Sequence, residues 1–118
     1  MAYLLLIMEP RDQRRSRTAE EGQLAYAQMV SFGAGLKARG LLQASESLRS
    51  DAEGTRVTVR EGKRTLRDGP FTEAKEMVGG FFLLDCKTKE EAIAIASECP
   101  AAAWATVEVR ELAPCHEG

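Results

Sequence analysis

Two stretches of this chain are apolar at every position, and each is followed by the start of a helix. Residues 3–8 read Tyr3-Leu4-Leu5-Leu6-Ile7-Met8 and residues 81–84 read Phe81-Phe82-Leu83-Leu84. Successive side chains of a strand point to opposite faces, so a strand that is apolar at both parities must be covered on both faces. Neither run approaches the ~20 residues a helix needs to cross a bilayer, so both read as buried strands. Thr18-Ala19-Glu20-Glu21 and Thr88-Lys89-Glu90-Glu91 then have the spacing of a capping box, in which threonine and glutamate satisfy free amides at a helix start. With two helices to a sheet of this size, only one of its faces can be covered by them.

The first strand covers residues 2–8 and ends at Glu9-Pro10, because proline removes a ladder donor. A charged loop follows, in which Arg11, Arg14, Arg15 and Arg17 read as a solvated cluster. From Thr18 a helix places Ala25, Met29, Phe32 and Leu36 on one face and stops at Gly40, with Gly33 and Gly35 weakening it. A second strand covers 41–48 and a polar loop 50–54. Val57 and Val59 then alternate with Arg56, Thr58 and Arg60, and Glu61-Gly62 turns the chain into a partner strand over 63–67, making a hairpin. An irregular stretch after Asp68-Gly69-Pro70 leads through Gly79-Gly80 to the strand at 81–86. The second helix sets Ala92, Ile95, Ala96 and Cys99 on one side and ends at Pro100. The last strand, 104–112, alternates Ala105, Val107 and Val109 with Thr106, Glu108 and Arg110.

Composition narrows the function classes. The 118 residues are 44% hydrophobic and 29% charged, which suits one globular domain spanning 1–118. A net charge of −2 removes the usual electrostatic case for nucleic acid. Cys86, Cys99 and Cys115 are widely spaced with no C-x-x-C pair, so neither a disulfide framework nor a thiolate metal site is expected. Cys115-His116-Glu117 has ligand types, but three consecutive residues cannot enclose a metal. There is no G-x-G-x-x-G and no P-loop, so the expectation is no cofactor and no metal. Without a cleavable leader or a membrane segment the chain reads as cytoplasmic.

These elements make an α+β domain, a ferredoxin-like plait with an antiparallel sheet and two helices on one face. The other face needs a cover, since leaving its large side chains in water forfeits about 1.5–3 kcal/mol each. The cover is either the 41–78 region of the same chain or a second copy packed sheet to sheet. The second copy is the simpler answer, and it makes the protein a homodimer.

Asp68-Gly69-Pro70-Phe71-Thr72-Glu73-Ala74-Lys75-Glu76, followed by Gly79-Gly80-Phe81-Phe82-Leu83-Leu84-Asp85, resembles the signature of the DGPF group of YCII-related proteins. The first strand, the Pro100-Ala101-Ala102 turn and Val107-Glu108-Val109-Arg110 resemble the same pattern, so the likeness covers almost the whole chain. It implies a ferredoxin-like plait that dimerises into an α/β barrel, in a superfamily of small-molecule isomerases, lyases and monooxygenases. It also implies, as an alternative, a regulatory module with a transcription-related partner of the sigma-factor type. The family pattern places an arginine and a glycine after the Pro-Ala-Ala turn where this chain has Ala103 and Ala105, which implies a missing cavity cation. Some relatives are thought to use a histidine–aspartate pair, but the sole histidine here is His116, near the C-terminus.

Candidate residues follow from both readings. Asp68 stands where a strand meets a glycine-proline turn; near an apolar barrel mouth its carboxyl is a general acid or base, and otherwise it caps the Gly69-Pro70 turn. Glu73, Lys75 and Glu76 beside Phe71 either bind a polar substrate and orient Asp68, or form a solvated charged surface. Gly79 and Gly80 point to a bulge or a close backbone approach that shapes a site. Glu108 and Arg110 share a strand face, where they clamp an anionic ligand or pair across an interface. Tyr26 lies off the centre of the first helix's apolar stripe, able to reach a pocket with its hydroxyl or to pack. The leading expectation is a small-molecule-binding homodimer, with cofactor-free acid–base chemistry at Asp68.

Overall fold

A computed structural model describes residues 2–116. Strand β1 (Ala2–Pro10) lies between β5 (Glu76–Asp85) and β6 (Thr106–Glu111), and β2 (Leu42–Ser47) flanks β5. The sheet order β2-β5-β1-β6, antiparallel throughout, is that of the ferredoxin-like plait, and the two apolar runs form its two central strands. A separate hairpin, β3 (Thr55–Arg60) and β4 (Lys63–Asp68), stands apart from this sheet.

The helices begin and end as their residues dictate. α2 (Ala19–Ala38) has a full capping box: Thr18 Oγ1 accepts from the Glu21 amide at 3.1 Å, and the Glu21 carboxylate accepts from the Thr18 amide at 2.8 Å. It stops at Gly40, whose φ of +72° lets the Leu41 amide donate back to the Leu36 carbonyl at 3.0 Å. In α3 (Lys89–Glu98) Thr88 caps the Glu91 amide, whereas the Glu91 carboxylate accepts from Lys87 instead of closing the box. Pro100–Ala103 forms a short 3₁₀ turn, so the last strand starts at Thr106, later than its alternation suggests.

The core lies between the sheet and the helices. Tyr3, Leu5 and Ile7 of β1 meet Phe82 and Leu84 of β5, with Leu36, Ala92 and Ile95 above them. α3 contributes three buried residues over its ten, but α2 buries only Gly33 and Leu36 of its twenty. Gly33 is where α2 touches down, because a Cβ there would already be in contact with Phe82. The N-terminal half of α2 stands off the sheet, which leaves a cleft.

The opposite parity of the central strands, Leu4, Leu6, Met8, Phe81 and Leu83, is only half-buried. The 41–78 region does not cover it. β2 joins the sheet edge, and every strand residue of the β3–β4 hairpin is exposed. The hairpin turns at Glu61 and Gly62, both at positive φ. Its projection explains a radius of gyration of 16.2 Å, above the ~13–14 Å of a compact chain of this length.

Two further expectations need correction. The stretch 9–17 is not a plain loop: β1 continues to Pro10, and a four-residue helix α1 (Gln13–Ser16) follows Asp12, whose φ is +73°. β5 begins at Glu76, so Gly79 and Gly80 lie within the strand. Gly79 is its bulged residue, since Ile7 pairs with Gly80 and Met8 with Val78.

Candidate functional site

β1 sets the site. Its buried parity runs Tyr3, Leu5, Ile7 and then Glu9, a carboxylate only 5% exposed where the next core residue would be. A charge in that position must be paired. The left-handed turn at Asp12 brings α1 back over the strand, and Arg14 grips Glu9 bidentately with one edge of its guanidinium. Its Nε donates to Oε1 at 2.7 Å and its Nη2 to Oε2 at 2.9 Å. Gly79 supplies the space, because a Cβ there would fall on the Glu9 carboxylate. Gly80 does the same for the neighbouring strand, where a Cβ would come within 2.7 Å of the Glu46 carbonyl.

Glu9 and Arg14 lie at the floor of the cleft under the free half of α2. The cleft has a volume of about 740 Å³ and is lined by Ala25, Tyr26, Met29 and Gly33 of α2, Ser45 and Ser47 of β2, and Gly79 and Gly80. Arg17 stands at one end, its guanidinium 4.4 Å from the centre of the Trp104 ring. Lys37 lines the wall as well. The pocket is mostly apolar with a few convergent polar groups, the usual make-up of a small-molecule site.

The arginines of 11–17 are therefore not a solvated cluster. Arg11 reaches the other way and holds Asp51 bidentately at 2.8 and 2.5 Å, Arg14 holds Glu9, and Arg17 lies on Trp104; Arg15 alone is largely exposed. Arg14 and Arg17 also supply the cleft with cations that the alanines at 103 and 105 do not.

The signature segment does something else. Phe71 is buried, its ring 3.7 Å from the Arg56 guanidinium, with Arg67 beyond at 5.3 Å. Both arginines also hold Glu73, whose carboxyl is drawn below its ordinary range by a backbone hydrogen bond and by Arg67. Gly69 packs so closely that a Cβ would collide with the Asp51 carbonyl, and the Gly69-Pro70 bond is cis. Asp68 accepts from Thr55 Oγ1 at 2.9 Å across the hairpin base and is exposed, not set at an apolar mouth as the acid–base reading requires. The carbonyl of Lys75 accepts from the Arg11 amide, while Glu76 opens β5 on the surface. These residues build a hairpin base beside a shallow hollow of about 480 Å³ lined by Met8, Met77, Val78 and Phe71.

Glu108 and Arg110 project from the sheet face opposite the helices and pair with each other at 3.1 Å within one strand. Tyr26 does line the cleft, though it is 60% exposed. Glu117 lies outside the described residues, so the Cys115-His116-Glu117 string is not described in full. Among the described residues no group of three or more His, Cys, Asp or Glu is placed to hold a metal. No helix among the described residues is long and apolar enough to cross a membrane.

A plait with an apolar cleft between one helix and its sheet, floored by a paired carboxylate, defines an α+β protein of ferredoxin-like architecture. The YCII-related domain model matches residues 1–116, and the chain belongs to that family. Over 54 residues it is 43% identical to an uncharacterised protein of Rhizobium meliloti (strain 1021), a stretch covering 44% of each chain. The chain thus matches less than half the length of that curated relative. Among solved structures it is similar to the 5-chloro-2-hydroxyhydroquinone dehydrochlorinase TftG from Burkholderia phenoliruptrix AC1100, determined with 2,5-dihydroxybenzoquinone. The TM-score is 0.54 at 16% identity, covering 96% of this chain and 94% of that one, a likeness of fold.

Proposed function

We propose that this protein binds a small organic molecule in the cleft between α2 and the sheet and carries out cofactor-free acid–base chemistry on it, as an isomerase or lyase does. Glu9 is the proton-transferring group. The observation that carries the reading is a buried carboxylate at the floor of an apolar cleft, held by one guanidinium. Arg14 donates to Oε1 through Nε and to Oε2 through Nη2 and, more weakly, Nε, which leaves a lone pair on Oε1 to accept a substrate proton. A negative charge developing on the substrate would lie close to Arg14 and Arg17, both of which line the cleft. TftG is named a dehydrochlorinase, so a scaffold of this shape is compatible with elimination chemistry.

This reading moves the acid–base role from Asp68 to Glu9. A thermal-shift screen against small hydroxylated and carbonyl-bearing molecules should yield stabilising compounds, because a ligand that binds only the folded state raises the melting temperature. Turnover of such a compound should be lost in Glu9→Gln and kept in Asp68→Asn. Turnover that survives Glu9→Gln and disappears in Asp68→Asn would return the role to the signature segment.

The protein is also a homodimer on this reading, with the half-buried face of Leu4, Leu6, Met8, Phe81 and Leu83 covered by a second copy.

A further inference from the structure

Arg14, in α1, and Arg17, at its C-cap, both line the cleft, and they are held in different ways. Arg14 is committed to Glu9, so the pair at the floor is neutral. Arg17 lies over the Trp104 ring at 4.4 Å, and α1 is tied to the same residue by Gln13, whose Nε2 donates to the Trp104 carbonyl at 2.6 Å. Among the described residues Arg17 forms no salt bridge. Glu21 is near enough for its carboxyl to feel Arg17, but it is exposed, accepts from the Thr18 amide in the capping box and does not line the cleft. An aromatic ring holds a guanidinium by its face without neutralising it, and the N–H groups at the guanidinium edge match the two oxygens of a carboxylate.

The other charges of the cleft do not cancel this cation. Lys37 lines the wall near the far end of α2. Ser45 lies opposite Phe82 and close to where a Cβ on Gly33 would be, so it faces α2. Its neighbour Glu46, opposite Phe81, therefore projects its carboxylate from the other face of the sheet. The side chains directed to the cleft are three cations, Arg14, Arg17 and Lys37, against the single carboxylate of Glu9, in a chain whose net charge is −2. A largely apolar cleft of low dielectric strengthens the field of an unmatched cation at its end and draws an anion to it.

We propose that the molecule bound in this cleft is a small organic carboxylate, its carboxylate group paired with Arg17 and its apolar body lying along Ala25, Met29 and Gly33. A monoanion matches the single guanidinium at that end. The inference rests on the cleft being the ligand site, as in the function proposed above, and adds the class of ligand.

Trp104 is the sole tryptophan of the chain, so its fluorescence reports on the Arg17 end of the cleft. The wild type, Arg17→Gln and Glu9→Gln are titrated with hexanoate, cyclohexanecarboxylate and 4-oxopentanoate and with the amide of each, while circular dichroism reports the fold. At least one acid should bind the wild type about tenfold or more tightly than its amide, and Arg17→Gln should abolish the preference. Added sodium chloride should weaken binding of the acid and leave that of the amide unchanged. Glu9→Gln, which removes the one carboxylate of the cleft, should bind the acid at least as well as the wild type. Equal binding of acid and amide, binding of neither, or a preference that survives Arg17→Gln overturns the assignment. Should Arg17→Gln misfold, the salt response of the wild type decides, and acid binding indifferent to salt overturns it. Binding is read here and not turnover, so the two proposals fail separately. A neutral compound turned over through Glu9 leaves the acid–base chemistry standing without the anion, and acids held by Arg17 with no turnover dependent on Glu9 do the reverse.

Discussion

Gly79 and Glu9 are placed so that one depends on the other: the bulged glycine of β5 has no side chain, and the carboxylate of Glu9 occupies the volume where its Cβ would be. The bulge and the buried charge are thus one construction. Gly79→Ala should drive Glu9 off Arg14 and cost about 1–3 kcal/mol, as overpacking of a tight site does. Denaturant unfolding of Gly79→Ala, Glu9→Ala and the double variant would show it, since removing the carboxylate should recover much of the alanine's cost. Strict additivity would mean that the two do not share the space.

Arg14→Ala leaves the Glu9 carboxylate buried without its cation. Breaking a fully buried pair costs about 3–5 kcal/mol, and with the Arg14 side chain 35% exposed the loss should be smaller, about 1–3 kcal/mol. Replacing Glu9 in the same chain by Gln should restore part of it. Chemical denaturation of the two variants provides the comparison.

Phe71 should matter to the hairpin base more than to the plait. Phe71→Ala empties a buried site beneath Arg56 and Arg67 and should cost about 3 kcal/mol. Hydrogen exchange should speed up in 51–74 ahead of the β1–β5 ladder. Uniform loss of protection across both would show that the signature segment supports the whole domain.

The pH response has a definite sign. The Arg11 guanidinium holds the Asp51 carboxyl below its ordinary value, as Arg67 and a backbone amide do for Glu73. A carboxyl depressed in the folded state contributes stability that is present above its unfolded pKa and is lost as the pH falls through the folded one. The melting temperature should therefore decline from about pH 4 downward. Asp51→Asn should flatten that acid limb while lowering stability at neutral pH.

Thiol chemistry separates the cysteines. Burial raises the Cys86 and Cys99 thiols, whereas Cys115 is exposed. One thiol per chain should react quickly with a disulfide reagent at pH 8, and the other two only on unfolding. Cys115→Ser should abolish the fast phase.

Much of the architecture is local chemistry and so was legible in the residues. The two apolar runs read as buried strands, and they are the two central strands of the sheet, with one parity of each in the core. Thr18-Ala19-Glu20-Glu21, Gly40 and Glu61-Gly62 mark a helix start, a helix stop and a hairpin turn through backbone demands that no distant contact alters. The bulge at Gly79-Gly80 was likewise within reach.

The candidate site was less so. One signal was available: Glu9 continues the parity of Tyr3, Leu5 and Ile7, so a strand prolonged by two residues carries a charge into the core. The proline at 10 argued against that prolongation, and α1, at four residues, is too short to show a period, so nothing in the chain tied Arg14 to Glu9. Asp68 shows the converse, an apt residue type in a suggestive motif that folding left on an exposed edge.

By itself the sequence determined the order of elements, their caps and turns, and which face of each strand is apolar, because these depend on side-chain type and on neighbours a few residues away. Only the tertiary structure decided that α2 touches the sheet at Gly33 and stands clear before it, that Arg11, Arg14 and Arg17 turn to three different partners, and that the hairpin reaches outward. Most of those outcomes come from contacts between residues 40 or more apart, and even the Arg14–Glu9 pair, five residues apart, depends on the space that distant Gly79 leaves.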